Sequence, residues 1–289
     1  MNTLVEQMIQ PYKAQNIYDQ KNAMKEVIQE IALCELRRAG FFGKAAFYGG
    51  TALRIFYGLD RFSEDLDFSL VHADENFKIQ SFFPALEKAV QAYGLNVVID
   101  YKEKSSASNI QSAFLKANTK EHLLNFYSAD TKFSEASSRE LTKIKFEIDV
   151  NPPDYATFER KYRLKPVPYE VNLYDESSLF AGKLHAVIGR SWKNRTKGRD
   201  LYDYVFYLGK GARFNRKHLR ARLIQSGHLT EDAEFELVDI KNMLCSRFDL
   251  IDFAQAKSDI TPFIRNKHAL DIWSADFFKQ ITESLSERE

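Results

Sequence analysis

The sequence predicts an α/β (α+β) protein, with helices and strands mixed over residues 1–173 and a mainly helical region over residues 174–289. Three observations support this. Apolar residues recur at helical spacing through the first 38 positions; short runs alternate polar and apolar between residues 65 and 173; and beyond Asp175 turn residues separate stretches of helical periodicity.

Residues 3–38 carry Leu4, Met8, Ile9, Met24, Ile28, Ile31 and Leu36 on a helical repeat, and Pro11 divides them into two helices or one kinked helix. Gly40 and Gly43 punctuate the chain, and an apolar run ending at Phe47-Tyr48 leads into Gly49-Gly50. Residues 51–57 read as a short helix ending near Gly58, and residues 65–70 as a strand with one buried face. Residues 75–93 are helical, with Pro84 as a break and Gly94 as the cap. Strands follow at 95–102, 110–117 and 141–150, the last stopped by Asn151-Pro152-Pro153. A short strand at 167–173 precedes Asp175, an N-cap for a helix over 178–190. Further helices are expected at 199–208, 216–224, 231–248, 253–264 and 275–285.

Composition narrows the function classes. Hydrophobic residues are 44% and charged residues 28%, a globular balance. No run approaches the roughly 18 to 20 apolar residues of a membrane span, and the first residues lack the pattern of a signal peptide, so a cytoplasmic protein without membrane association is expected. Cys34 and Cys245 are far apart, which argues against a disulfide framework or a cysteine zinc site. The net charge of +1 hides a basic belt: residues 181–222 hold twelve Lys/Arg against two Asp. Such a belt suits a localised polyanion site or, more simply, a solvated helix surface.

Three features of the α/β part carry chemistry. Gly49-Gly50-Thr51 opens a helix, where glycines allow close backbone approach to a phosphate and the helix dipole favours an anion. Asp65 and Asp67 lie two apart on an expected strand, so both project from one face, and a divalent cation would relieve their repulsion. Glu147 and Asp149 repeat this spacing, and a neighbouring strand could bring Asp149 beside the first pair. Three carboxylates can hold two magnesium ions for a phosphoryl-type displacement. Other phosphate-binding signatures are missing, with neither GxxxxGK[ST] nor GxGxxG after a strand.

The string Gly49-Gly50-Thr51-Ala52-Leu53-Arg54, followed by Arg61-Phe62-Ser63-Glu64-Asp65-Leu66-Asp67-Phe68, closely resembles the AbiEii-type nucleotidyltransferases. These are toxins of type IV toxin–antitoxin and abortive-infection systems within the DNA polymerase β superfamily. The resemblance continues through Leu179-Phe180-Ala181-Gly182-Lys183-Leu184-His185-Ala186 and Lys197-Gly198-Arg199-Asp200-Leu201-Tyr202-Asp203, covering roughly residues 45 to 208. It implies a polymerase β-like nucleotidyltransferase core with a mixed β-sheet, followed by helices that contribute Lys183 and Asp200 to the active site. It also implies catalysis by Asp65, Asp67, Lys183 and Asp200, with magnesium on Asp65 and Asp67 and Asp149 in the position of the third carboxylate. Gly49, Gly50, Thr51, Ser63 and Lys183 would bind a nucleoside triphosphate, the donor substrate. The implied acceptor is RNA, foremost the tRNA 3′ end, so that translation is blocked, and the implied protein partner is a cognate antitoxin. The basic residues Arg190, Lys193, Arg195, Lys197 and Arg199 are the candidates to grip the RNA.

The residues also admit rival readings. The same chemistry could serve an aminoglycoside-like small acceptor or a protein hydroxyl; a catalytically inactive nucleic-acid-binding module is disfavoured by the joint presence of Asp65, Asp67, Lys183 and Asp200. Arg61 could bind phosphate or pair with Glu64 or Asp65. His185, Trp192 and Trp273 read as structural. Tyr202 and Tyr204 could stack on bases but fit core packing better.

Overall fold

The computed structural model describes residues 3–101, 109–118, 141–190 and 196–288. The chain divides into two compact units: Met1–Ala52, Phe62–Pro152 and Arg160–Leu173 form the first, and Leu53–Arg61, Pro153–Glu159 and Tyr174–Glu289 the second.

In the first unit, α1 (Leu4–Ile9) starts with a capping box between Thr3 and Glu6. Pro11 lies in a 3-10 turn, Gln10–Tyr12, so the interruption yields two helices, and Asn16 then caps the long α2 (Ile17–Arg38). Strand β1 (Ala45–Tyr48) runs directly into α3 (Gly49–Tyr57), followed by β2 (Leu66–Leu70). The expected helix over 75–93 shortens to α4 (Phe83–Gln91), preceded by a 3-10 turn, Ile79–Phe82. Pro84 starts α4 instead of breaking it, because a first-turn residue needs no amide donor.

Strands β3 (Val97–Tyr101), β4 (Ile110–Asn118), β5 (Leu141–Asp149), β6 (Phe158–Arg163) and β7 (Tyr169–Tyr174) complete a seven-stranded sheet of order β3-β4-β5-β2-β1-β7-β6. The sheet is mixed: β2 pairs β5 and β1 pairs β7 in parallel, whereas β1–β2, β3–β4 and β4–β5 are antiparallel. Strand β6 escaped the sequence reading. It is an edge strand, and Arg160, Lys161 and Arg163 mask its alternation, as charged residues commonly do at sheet edges. The buried sheet face carries Phe47, Phe68 and Phe146, and Phe41 meets Phe68 edge-on at 4.9 Å.

The second unit is mainly helical: α5 (Glu176–Gly189), α6 (Gly198–Gly209), α7 (Arg216–Gln225), α8 (Leu237–Phe248), α9 (Phe253–Ile260) and α10 (Ala275–Thr282). Its core gathers Phe180, Tyr204, Tyr207, Phe214, Phe248 and Phe278, with the Phe180 and Tyr207 rings stacked at 4.4 Å. Two three-residue strands, β8 (Arg213–Asn215) and β9 (Ser286–Arg288), pair in parallel; each is too short to show a period in sequence. Helix α8 begins at residue 237, not 231, because Glu236 and Asp239 form its capping box there. Among the described residues, no helix is long and apolar enough to cross a membrane.

Candidate active site

Asp67 is the most tightly specified of the expected site residues. Antiparallel pairing puts it opposite Tyr48, so its side chain meets the turn where β1 becomes α3. Gly49 has φ +82°, and a Cβ there would overlap the Asp67 carboxylate at Oδ2. Glycine is therefore required twice over, for the left-handed backbone and for the approach of the acid. The carboxylate lies at the start of α3, where the helix dipole favours negative charge.

Asp65 precedes β2 instead of starting it. The Thr51 hydroxyl, buried at the first turn of α3, donates to the Asp65 main-chain carbonyl at 2.5 Å. That bond uses the only proton on the Thr51 hydroxyl, so this side chain orders the acid loop and has no donor left for a phosphate. From the other side, fully buried Gln29 on α2 donates to the Ser63 carbonyl at 3.2 Å, and Lys25 pairs with Glu64 at 2.7 Å. The segment 63–67 is thus gripped by α2 and α3. Gln29 and Lys25 were not singled out from sequence, since nothing local links them to a loop 34 to 39 residues away.

The neighbouring strand does carry the second acidic pair. Parallel register sets Glu147 opposite Asp67 and Asp149 opposite Ser69, so Glu147, not Asp149, is level with Asp67. Glu147 is engaged by Lys145 at 2.7 Å and by the Ser112 hydroxyl at 3.1 Å, and Asp149 accepts from the Asn151 amide at 3.0 Å. Among the described residues no group of three His, Cys, Asp or Glu side chains is placed to hold a metal. Two hard carboxylates nevertheless suit magnesium, which commonly takes one or two protein ligands and completes its shell with phosphate oxygens and water.

The second unit holds a compact charge network. Lys183, on α5, places its ammonium 2.7 Å from Asp200 and 2.8 Å from Asp203. Arg61 lies 2.6 Å from both oxygens of fully buried Asp203 in a bidentate pair, so the guanidinium is joined to α6. Arg190 completes the group on Asp200. Burial alone would raise the Asp200 pKa, yet Lys183 and Arg190 hold it down to about 2. Three cations thus face two carboxyl side chains around a lysine whose side chain is 15% exposed. Arg61 and Asp203 lie inside the motifs quoted above, but only folding reveals that they meet.

The RNA candidates divide. Lys193 and Arg195, with Trp192, lie outside the described residues. Lys197 stands at the N-cap of α6. Arg199 turns inward: its guanidinium lies 4.6 Å from the Phe263 ring and 3.9 Å from buried Asp259, so it binds α6 to its neighbours. His185 is structural, bonded to Ser226 at 2.9 Å, and burial lowers its pKa to about 3. Tyr204 and Trp273 are buried, so the Tyr204 ring serves core packing, and Tyr202 donates to Asp60 at 2.8 Å.

The chain is similar to a crystal structure of a candidate nucleotidyltransferase from H. pylori, with 20% identity, 89% of each chain covered and a TM-score of 0.44. It is also similar to the JHP933 structure from Helicobacter pylori, with 19% identity, 91% of this chain and 88% of that one covered, and a TM-score of 0.42. No curated protein matches it. The family described as "Nucleotidyl transferase AbiEii toxin, Type IV TA system" matches residues 31–280, so this chain is a nucleotidyltransferase that belongs to the AbiEii toxin family.

Proposed function

We propose that the protein transfers a nucleotide from a nucleoside triphosphate to the 3′ end of an RNA, with tRNA as the acceptor, and thereby blocks translation in the cytoplasm. The observation that carries the chemistry is the locking of Asp67 against Gly49 at the start of α3, beside Asp65. Asp65 and Asp67 would hold magnesium, which, when bound, screens the triphosphate and stabilises charge on the leaving pyrophosphate. Amides of Gly49 and Gly50 face the triphosphate in this reading, and Ser63 lies beside it. Lys183 adds a point charge to the phosphates, while Asp200 and Asp203 fix its ammonium. Asp149 has the weakest claim to a metal, since Glu147 stands level with Asp67.

RNA as acceptor is supported by the family and by the basic belt, of which Lys193, Arg195 and Lys197 are the main members in this reading, with Arg190 beside them. A cognate antitoxin follows from membership of a type IV system. The test is to incubate the protein with each radiolabelled nucleoside triphosphate, magnesium and total RNA, then separate the products. Label in the tRNA fraction is expected. Label only on a small molecule or on protein would overturn the RNA acceptor while keeping the transferase.

A further inference from the structure

A cavity of about 470 Å³ lies within the second unit, lined by Tyr155, Asn215, Arg216, Lys217, Glu287 and Arg288 among others. Its size falls in the range of small-ligand sites, roughly 300 to 1,000 Å³. The wall holds three cations and one carboxylate. Lys217 is exposed and makes no ion pair among the described residues, whereas Arg216 is shared with Glu236 and Glu287, and Arg288 with Asp175.

At the edge stands Tyr155, 64% exposed and with φ +65°, a conformation that an aromatic residue adopts only when its surroundings impose it. Here two side chains impose it. Asn215 donates to the Tyr155 carbonyl at 2.8 Å, and Nδ1 of fully buried His218 donates to the Asp154 carbonyl at 2.8 Å. The fold thus holds a strained backbone so as to present a large ring to solvent beside cations. Glu287 belongs to the scaffold of this wall: its buried Oε2 lies 3.2 Å from Arg216 Nε.

We infer that this cavity binds one nucleotide unit of a single-stranded RNA. The base stacks on Tyr155, and the phosphate pairs with Lys217 and Arg216. An acidic peptide would use the cations but would leave the exposed ring without a role. The inference rests on the RNA-acceptor reading for its place in the reaction, but binding tests it independently of catalysis.

The experiment uses the full chain and a fluorescein-labelled single-stranded oligoribonucleotide of about eight nucleotides, a length typical of single-strand sites. Anisotropy is read against salt, with polyglutamate as the rival probe. Tyr155→Gly should weaken RNA binding about tenfold, the size of a lost base–aromatic stack, yet melt no lower, because glycine accepts φ +65° without strain. Tyr155→Phe should bind like wild type, and Lys217→Ala should reduce the salt slope by about 0.7. Wild-type RNA affinity in Tyr155→Gly, or binding of polyglutamate but not of the oligoribonucleotide, would overturn the inference. Tyr155-dependent binding without labelling of RNA in the transfer assay would instead sink the acceptor reading and leave this site standing.

Discussion

Asp67 and Gly49 are coupled at the scale of single atoms. Asp67→Asn keeps the shape but removes a ligand charge, so turnover should fall at least about a hundredfold with an unchanged melting temperature. Near-normal turnover in magnesium would refute the assignment. Gly49→Ala should also be inactive, and additionally less stable by about 1–3 kcal/mol, since it incurs both the positive-φ strain and the overlap with the carboxylate. Asp200 gives a pH signature. Its folded pKa of about 2 lies below the ordinary 3.8, so its contribution to stability is fully present above about pH 4 and is lost as pH falls through 2. Acid titration of unfolding should show this loss in the wild type, on the order of 2 kcal/mol, and not in Asp200→Asn. Lys183→Ala should raise the Michaelis constant for the triphosphate and lower turnover. It should also destabilise the fold, because Asp200 and Asp203 lose a partner while buried. Unchanged triphosphate dependence would leave Lys183 only the structural part of that role.

At the scale of elements, close approaches fix where the site residues stand. Gly198 begins α6 against α9, and a Cβ there would overlap the Ala256 carbonyl. Gly198→Ala must push the helices apart, at a cost of about 1–3 kcal/mol visible in thermal melts. Thr51 grips the loop before β2 in the first unit. Thr51→Val would leave the Asp65 carbonyl without that donor and should cost about 1–3 kcal/mol, whereas Thr51→Ser should restore most of it. If Val and Ser variants melted alike, the hydrogen bond would not be what holds the loop. Helix and strand periods made most elements legible in sequence: α2, β2 and β5 follow their apolar spacing closely, and the Asp175 cap marked the start of α5. Strands β6, β8 and β9 were not legible. Pairing partners, not their own residues, make them strands.

At the scale of the molecule, the basic belt separates RNA from a small acceptor. Arg199 is engaged inside the fold and Arg190 is joined to Asp200, so the substitution falls on Lys193, Arg195 and Lys197. If about three phosphates are neutralised on a single strand, log affinity should fall with log salt at a slope of roughly −2. Between about 50 and 200 mM salt that is a loss on the order of fifteenfold, which the triple alanine variant should flatten without changing triphosphate use. Indifference to both salt and substitution would remove the belt from RNA binding.

The sequence by itself determined the family, the α/β-then-helical order and the identity of the acidic and lysine motifs. It could do so because a period of two or 3.6 and a short motif are local properties of the chain. Only the tertiary structure decided which charges meet. Arg61 found Asp203, 142 residues away, and strand register, which no single strand encodes, put Glu147 opposite Asp67. Arg199 turned into the core for the same reason: a side chain's partner is set by packing between elements distant in sequence, not by the residues on either side of it.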